Sequence, residues 1–229
     1  QPCPSSCRLW TVIVLVLVLG VVAGIRLRLL NLPLERDEGE YAYAGQLLLQ
    51  GESIYRHAYN IALKLPGTCV AYAAIFGALG QTGAALHLGL LLVNLATAIL
   101  VFILARRVYG AAGGVVAAAT YGLLSINPAT LGLAAHANHF VMLPAVAGIL
   151  LLQELRDGAS AGRIIAAGLL LGVAFLMKQT GAAFCLFGAA WIGWLETQSD
   201  RPQWRRLAAR LGWLALGGVL PFAAMCAVL

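Results

Sequence analysis

The chain has 229 residues, 61% of them hydrophobic and only 10% charged, with a formal net charge of +6. Soluble domains carry roughly 25% charged residues, and a mean hydropathy of +0.87 leaves too little polar surface to keep a globule in water. A soluble enzyme is excluded, and the class is an all-α integral membrane protein.

The positive charges are arginines set between apolar runs, with no basic stripe interleaved with aromatics, which argues against a nucleic-acid partner. The five cysteines (Cys3, Cys7, Cys69, Cys185 and Cys226) are scattered and give neither a disulfide framework nor a metal spacing.

About 20 apolar residues are needed to cross a bilayer. The first such run covers residues 9–29; no small-residue cleavage pattern follows it, so it reads as a retained helix rather than a signal peptide. Residues 30–85 read as a large outer loop, in which the apolar piece 66–79 lies at the membrane surface and "GALGQTG" breaks it from the next run. Further spans are predicted over 86–105, 110–127, 140–155, 163–177, 181–195 and 211–229, making seven in all. The chain ends inside an apolar run, as the N-terminal portion of a longer protein would.

Positive charges gather on the cytoplasmic side. Arg106, Arg107, Arg156, Arg163, Arg201, Arg205, Arg206 and Arg210 then share that side with Arg8, and the N-terminus is inside. The four histidines (His57, His87, His136 and His139) and Lys178 fall on the extracytoplasmic side. Arg26 and Arg28 read as anchors snorkelling to the interface.

The outer loop opens with "RDEGEYAYAGQLLLQG". Glu35, Asp37, Glu38 and Glu40 fill four of six consecutive positions, in a chain with nine acidic residues. One reading is local: Asp37 as N-cap, Glu40 at the third helical position, and an amphipathic helix running to Gln50 and ending at Gly51. A second reading is chemical. On a helix Asp37, Glu40 and Tyr41 share one face, with Glu38 about 100° round. Carboxylates that close gather a cation among them, or keep one group basic enough to take a proton from a hydroxyl. The spacing leaves both readings open.

The stretches "RDEGEYAYAGQLLLQGESIY", "KLPGTCVAYAAIFGALG" and "HLGLLLVNLATAILVFILARRVYG" follow in order, with "AHANHFVMLPAVAGILLL" and "GLLLGVAFLMKQTG" after them. Together they resemble the N-terminal part of bacterial membrane glycosyltransferases of the GT-C fold. These are relatives of protein O-mannosyltransferases and of the aminoarabinose transferase that modifies lipid A. The Asp-Glu pair after the first span is the most specific element.

The resemblance implies transfer of a sugar from a polyprenyl-phosphate carrier to a glycan, lipid or protein acceptor, with inversion, outside the cytoplasmic (inner) membrane. It implies Asp37 as the catalytic carboxylate with Glu38 beside it. The leaving group is a lipid phosphate, so cations are needed where charge develops; Lys64, in "KLPG", and Lys178 are the candidates. Glu40, Tyr41, His136 and His139 are candidate substrate contacts. Many relatives carry a second acidic residue where this chain reads "AAHANHF". His136 with Asp37 and Glu38 is then the alternative ligand set for Mg, Mn or Zn. Some members use a metal and others do not, so the resemblance leaves metal use open.

Two rival readings are a transporter or flippase, whose acids and Lys178 bind a coupling ion or anionic solute, and a non-catalytic assembly subunit of the same fold. Transporters place such charges on broken helices near mid-membrane and show internal repeats; here the acids sit in a loop and no repeat is evident.

Overall fold

The computed structural model describes residues 5–57, 64–157, 160–198 and 203–228. Among these the chain is helical, with no strand. The helices are α1 (Ser5–Arg28), α2 (Arg36–Leu49), the single turn α3 (Ile54–His57), α4 (Gly67–Leu79), α5 (Gly83–Leu124), α6 (Ala137–Gln153), α7 (Ala161–Met177), α8 (Ala182–Thr197) and α9 (Trp204–Val228). Among the described residues three stretches are long and apolar enough to cross a membrane: Leu9–Arg28, Gly83–Leu124 and Trp204–Ala227.

Helix α5 has 42 residues, which if straight would extend about 63 Å, twice a hydrocarbon core of about 30 Å. It is not straight. Gly110 sits at φ 76° and ψ −175°, a conformation that only glycine adopts readily, and the chain turns back there. The Tyr121 hydroxyl accordingly donates to Asn94 Oδ1 at 2.8 Å, although 27 residues of continuous helix would separate the two by about 40 Å. Helix α4, by contrast, has 13 residues and spans about 20 Å, too short to cross.

Ion pairs mark one end of the bundle. Glu154, just past α6, lies 2.8 Å from Arg107 on α5 and 3.7 Å from Arg163 on α7. Glu196 on α8 lies 3.6 Å from Arg210 on α9. The Gly110 break and the α6–α7 connection therefore share this end. The opposite end holds α2, α4, the 125–136 connection and the α7–α8 turn at Lys178.

Contact between helices in lipid comes from close packing rather than from expulsion of water, and small residues permit it. Helices α7 and α9 show the device. A Cβ on Gly168 would overlap the Leu214 carbonyl, and one on Gly172 the Gly218 carbonyl. Leu171, Ile192 and Leu214 fill the core beside this crossing.

Arg26 is not a snorkelling anchor. It is 4% exposed, and its Nη2 donates to the carbonyl of Ser125, to Ser125 Oγ at 3.4 Å and to the Gly132 carbonyl at 2.9 Å. The connection between α5 and α6 presents unpaired carbonyls inside an apolar bundle, and the guanidinium satisfies them. Arg28 is exposed, as an interfacial arginine would be.

The close crossing of α7 and α9 generates a prediction. Gly172→Leu should lower stability by about 1–3 kcal/mol, the usual cost of overpacking, seen as a lower unfolding midpoint in detergent micelles. Gly193→Ala, where an added Cβ meets nothing within 4 Å, should leave the midpoint essentially unchanged.

Candidate active site

Helix α2 is capped two residues earlier than the local pattern suggests. Glu35, extended at φ −69° and ψ 161°, is the N-cap, and its carboxylate accepts from the Asp37 N–H at 2.9 Å. Glu38 Oε2 accepts from the Glu35 N–H at 2.8 Å, closing a reciprocal capping box. The expected cap of Asp37 with Glu40 is thereby corrected. With Glu35 and Glu38 satisfying the helix end, Asp37 and Glu40 are free to do something else.

Both face Lys64. Its Nζ lies 2.6 Å from Glu40 Oε2 and 3.4 Å from Asp37 Oδ1, and 4.5 Å from the centre of the Tyr41 ring. Tyr41, one turn on from Asp37, supplies an aromatic floor for the ammonium. On the other side of Asp37, His136 Nε2 lies 3.4 Å from Oδ2. These groups are partly sheltered yet reachable: side-chain exposure is 27% for Asp37, 23% for Lys64 and 15% for His136.

Glu38 points the other way, about 100° round the helix, into the protein. It is 1% exposed. Its Oε1 accepts from the Ala135 N–H and from His87 Nε2 at 3.2 Å, while His87 Nδ1 donates to the Leu30 carbonyl at 2.8 Å. Both ring nitrogens thus face oxygen atoms. Tyr72 completes the arrangement by donating to the Ala135 carbonyl at 2.6 Å. Ala135 is held on both sides, and the next residue, His136, is delivered to Asp37.

Lys64 is anchored through α4. Thr68 Oγ1 donates to the Met177 carbonyl at 2.9 Å, and a Cβ on Gly67 would press on the Leu176 carbonyl. The start of α4, three residues past Lys64, thus rests on the end of α7. Lys178, in extended conformation directly after α7, stands at the same end of the bundle.

The electrostatics follow from these contacts. Burial alone would raise the Asp37 pKa, but the Lys64 ammonium, then His136 and Arg36, outweigh it and hold the carboxyl below its ordinary range. Burial likewise pushes Glu38 up, and hydrogen bonds from His87, Ala135 and Glu35 reverse it. For Lys64 burial lowers the pKa, while Glu40, Tyr41 and Asp37 raise it further, so the amine stays charged.

The structure therefore brings Asp37, Glu40, Tyr41, Lys64 and His136 together. It does not bring His139, whose Nδ1 lies 3.2 Å from Asn94 Oδ1 in the interior. Asp37, Glu38 and His136 do not converge as metal ligands, because the Glu38 oxygens are taken up by His87, Ala135 and Glu35. Among the described residues no group of three His, Cys, Asp or Glu side chains gathers to hold a metal ion. The side chain of His57 lies outside the described residues. The partnership of His87 with Glu38 was missed in the sequence; an imidazole in an apolar run, 49 residues from its carboxylate, was the only trace of it.

Breaking a buried pair by removing one partner costs about 3–5 kcal/mol, and Glu38→Ala should destabilise the protein by that order in chemical unfolding. The folded pKa of Glu38 is depressed, so its contribution is present above the usual glutamate value of about 4.3 and is lost as pH falls through the folded pKa. The wild type should lose stability over that acid range, and Glu38→Gln, which does not titrate, should lose less.

A family model described as dolichyl-phosphate-mannose-protein mannosyltransferase matches residues 68–228. The match begins inside α4 and runs to the end of α9, so Asp37, Glu38 and Lys64 precede it and are joined to it by the contacts described above. No curated protein and no solved structure matches the chain. With well over half its length matched, the chain belongs to the dolichyl-phosphate-mannose-protein mannosyltransferase family of GT-C-type membrane glycosyltransferases.

Proposed function

We propose that the protein transfers a sugar from a polyprenyl-phosphate carrier to an extracytoplasmic acceptor, with inversion at the anomeric carbon. The observation that carries this reading is Lys64 held against Asp37 at 3.4 Å, with His136 on the other side of the same carboxylate, at the end of an apolar bundle. A phosphate-binding cation and a proton acceptor side by side are what this transfer requires.

In the proposed step the acceptor hydroxyl attacks the anomeric carbon from the face opposite the carrier phosphate. The new C–O bond forms as the bond to the phosphate oxygen breaks, and that electron pair leaves on the carrier. Asp37, a partly exposed carboxylate beside the Lys64 ammonium, orients the hydroxyl and takes its proton. Lys64 neutralises the charge growing on the departing phosphate, with Lys178 as the second cation. Tyr41 and Glu40 hold the ammonium of Lys64 in place, and His136 fixes the direction of the Asp37 carboxylate.

In this reading α1, the two arms of α5, and α6 to α9 cross the membrane, with α2 and α4 on the outer surface; α1, α5 and α9 carry the stretches long and apolar enough to do so. The arginine-rich end that carries Arg107, Arg163 and Arg210 is then cytoplasmic by the charge rule, and Asp37 faces outward. The acceptor would be an envelope glycan, lipid or protein.

Membranes containing the longest available form of the protein, supplied with labelled polyprenyl-phosphate sugars, test the assignment. Asp37→Asn should reduce transfer by 10²–10⁴-fold at unchanged expression, and Lys64→Gln should reduce it while Lys64→Arg restores part. Equal transfer by Asp37→Asn and wild type would reduce the acidic run to helix-terminal charges. The acid limb of the pH–rate profile should lie below the ordinary aspartate value of about 3.9. His136→Asn removes one of the groups that depress Asp37, and should move that limb to higher pH.

A further inference from the structure

At the arginine-rich end, away from Asp37, a cavity of about 810 Å³ opens where the first arm of α5 passes α6 and α8. Its walls are Val101, Leu104 and Val108 on α5, Ile149 on α6, and Phe187 and Trp191 on α8. It faces outward rather than into the core: Val108 is 56% exposed and Phe187 48%. Trp191 stacks on Phe187 at 6.3 Å with 16° between the rings and spends its Nε1–H on the Leu152 carbonyl at 3.1 Å, so the wall offers ring faces to an apolar chain.

One end of this groove is polar, lined by Arg107, Gln153 and Glu154. Arg107 and Arg163 share the carboxylate of Glu154, at 2.8 and 3.7 Å, two guanidinium groups to one carboxylate among the described side chains. The side chains of both arginines stay about two-fifths exposed, at 40% and 42%, and open to an anion. Beside them Gln153 Oε1 is buried with no donor. A buried acceptor without a donor is costly to leave unsatisfied, and a headgroup hydroxyl would supply one.

We propose that this groove is a binding site for an anionic glycerophospholipid. The acyl chain lies along α5, α6 and α8, the phosphate sits at Arg107, and a headgroup hydroxyl donates to Gln153 Oε1. The site lies apart from Asp37 and does not depend on the transfer reaction. The ligand would brace the Gly110 hairpin against α6 and α8, because its two ends touch all three helices.

The test uses the whole chain purified in detergent and an equimolar mixture of phosphatidylglycerol and phosphatidylcholine with identical acyl chains. Bound lipid is read by native mass spectrometry. The wild type should retain phosphatidylglycerol at least tenfold over phosphatidylcholine. Arg107→Gln, which leaves Arg163 to pair with Glu154, should bring retention down to the phosphatidylcholine level; Gln153→Leu should weaken it severalfold; Ala105→Trp, filling the groove, should abolish both. Equal retention of the two lipids by the wild type, or unchanged retention in Arg107→Gln, overturns the proposal. So does an equal loss in Arg205→Gln, on the exposed start of α9, which would reveal general charge attraction in place of a site.

Discussion

The arrangement of the side chains around Asp37 depends on one buried carboxylate. Glu38 receives hydrogen bonds from the Glu35 N–H, the Ala135 N–H and His87, and these three donors belong to three separate parts of the chain. The start of α2, the connection before α6 and the first turns of α5 are joined at a single point. A buried carboxylate is expensive unless every lone pair finds a donor. Once it does, the same expense makes the geometry hard to change. The paired Asp37 and His136 each sit one residue away from this point: Asp37 precedes Glu38 and His136 follows Ala135.

Arg26 plays the complementary part. It donates to the carbonyls of Ser125 and Gly132, so the backbone between α5 and α6 can leave helical geometry without leaving polar groups unpaired in an apolar interior. The two ionised groups have opposite tasks, Glu38 gathering N–H donors and Arg26 gathering carbonyls. Together they fix the 125–136 connection, from Ser125 to Ala135, to the rest of the bundle. The segment is held at its two buried ends, Ser125 and Ala135, while Pro128, Ala129 and Leu131 between them are exposed.

The bundle is polar at both ends in different ways. One end mixes carboxylates, a lysine and a histidine around partly sheltered space. The other consists of arginines in excess over Glu154 and Glu196. Between the ends, the Gly168 and Gly172 surface of α7 meets α9 almost backbone to backbone. Such close contact suits a scaffold that must keep a site rigid in a solvent as apolar as its own side chains. The family match covers this scaffold from α4 onward, while the acidic run reaches it through Tyr72, Ala135 and His87.

What the sequence alone determines is local. A mean hydropathy of +0.87 requires a membrane-embedded chain, glycines and turn residues in "GALGQTG" and around Lys178 interrupt apolar runs, and the spacing of Asp37, Glu40 and Tyr41 places them on one helix face. These features depend on residues within a turn or two of each other, where propensity and periodicity act. What only the tertiary structure decides is which of two adjacent carboxylates turns outward. The spacing sets Asp37 and Glu38 about 100° apart round the helix but does not say which direction faces the protein. They differ because a helix rotates about 100° per residue, and because two of the three donors for Glu38 lie 49 and 97 residues away. The fate of Arg26 has the same origin, since its partners lie 99 and 106 residues on. Desolvation is set by what surrounds a group once the chain has folded, and no local pattern carries that information.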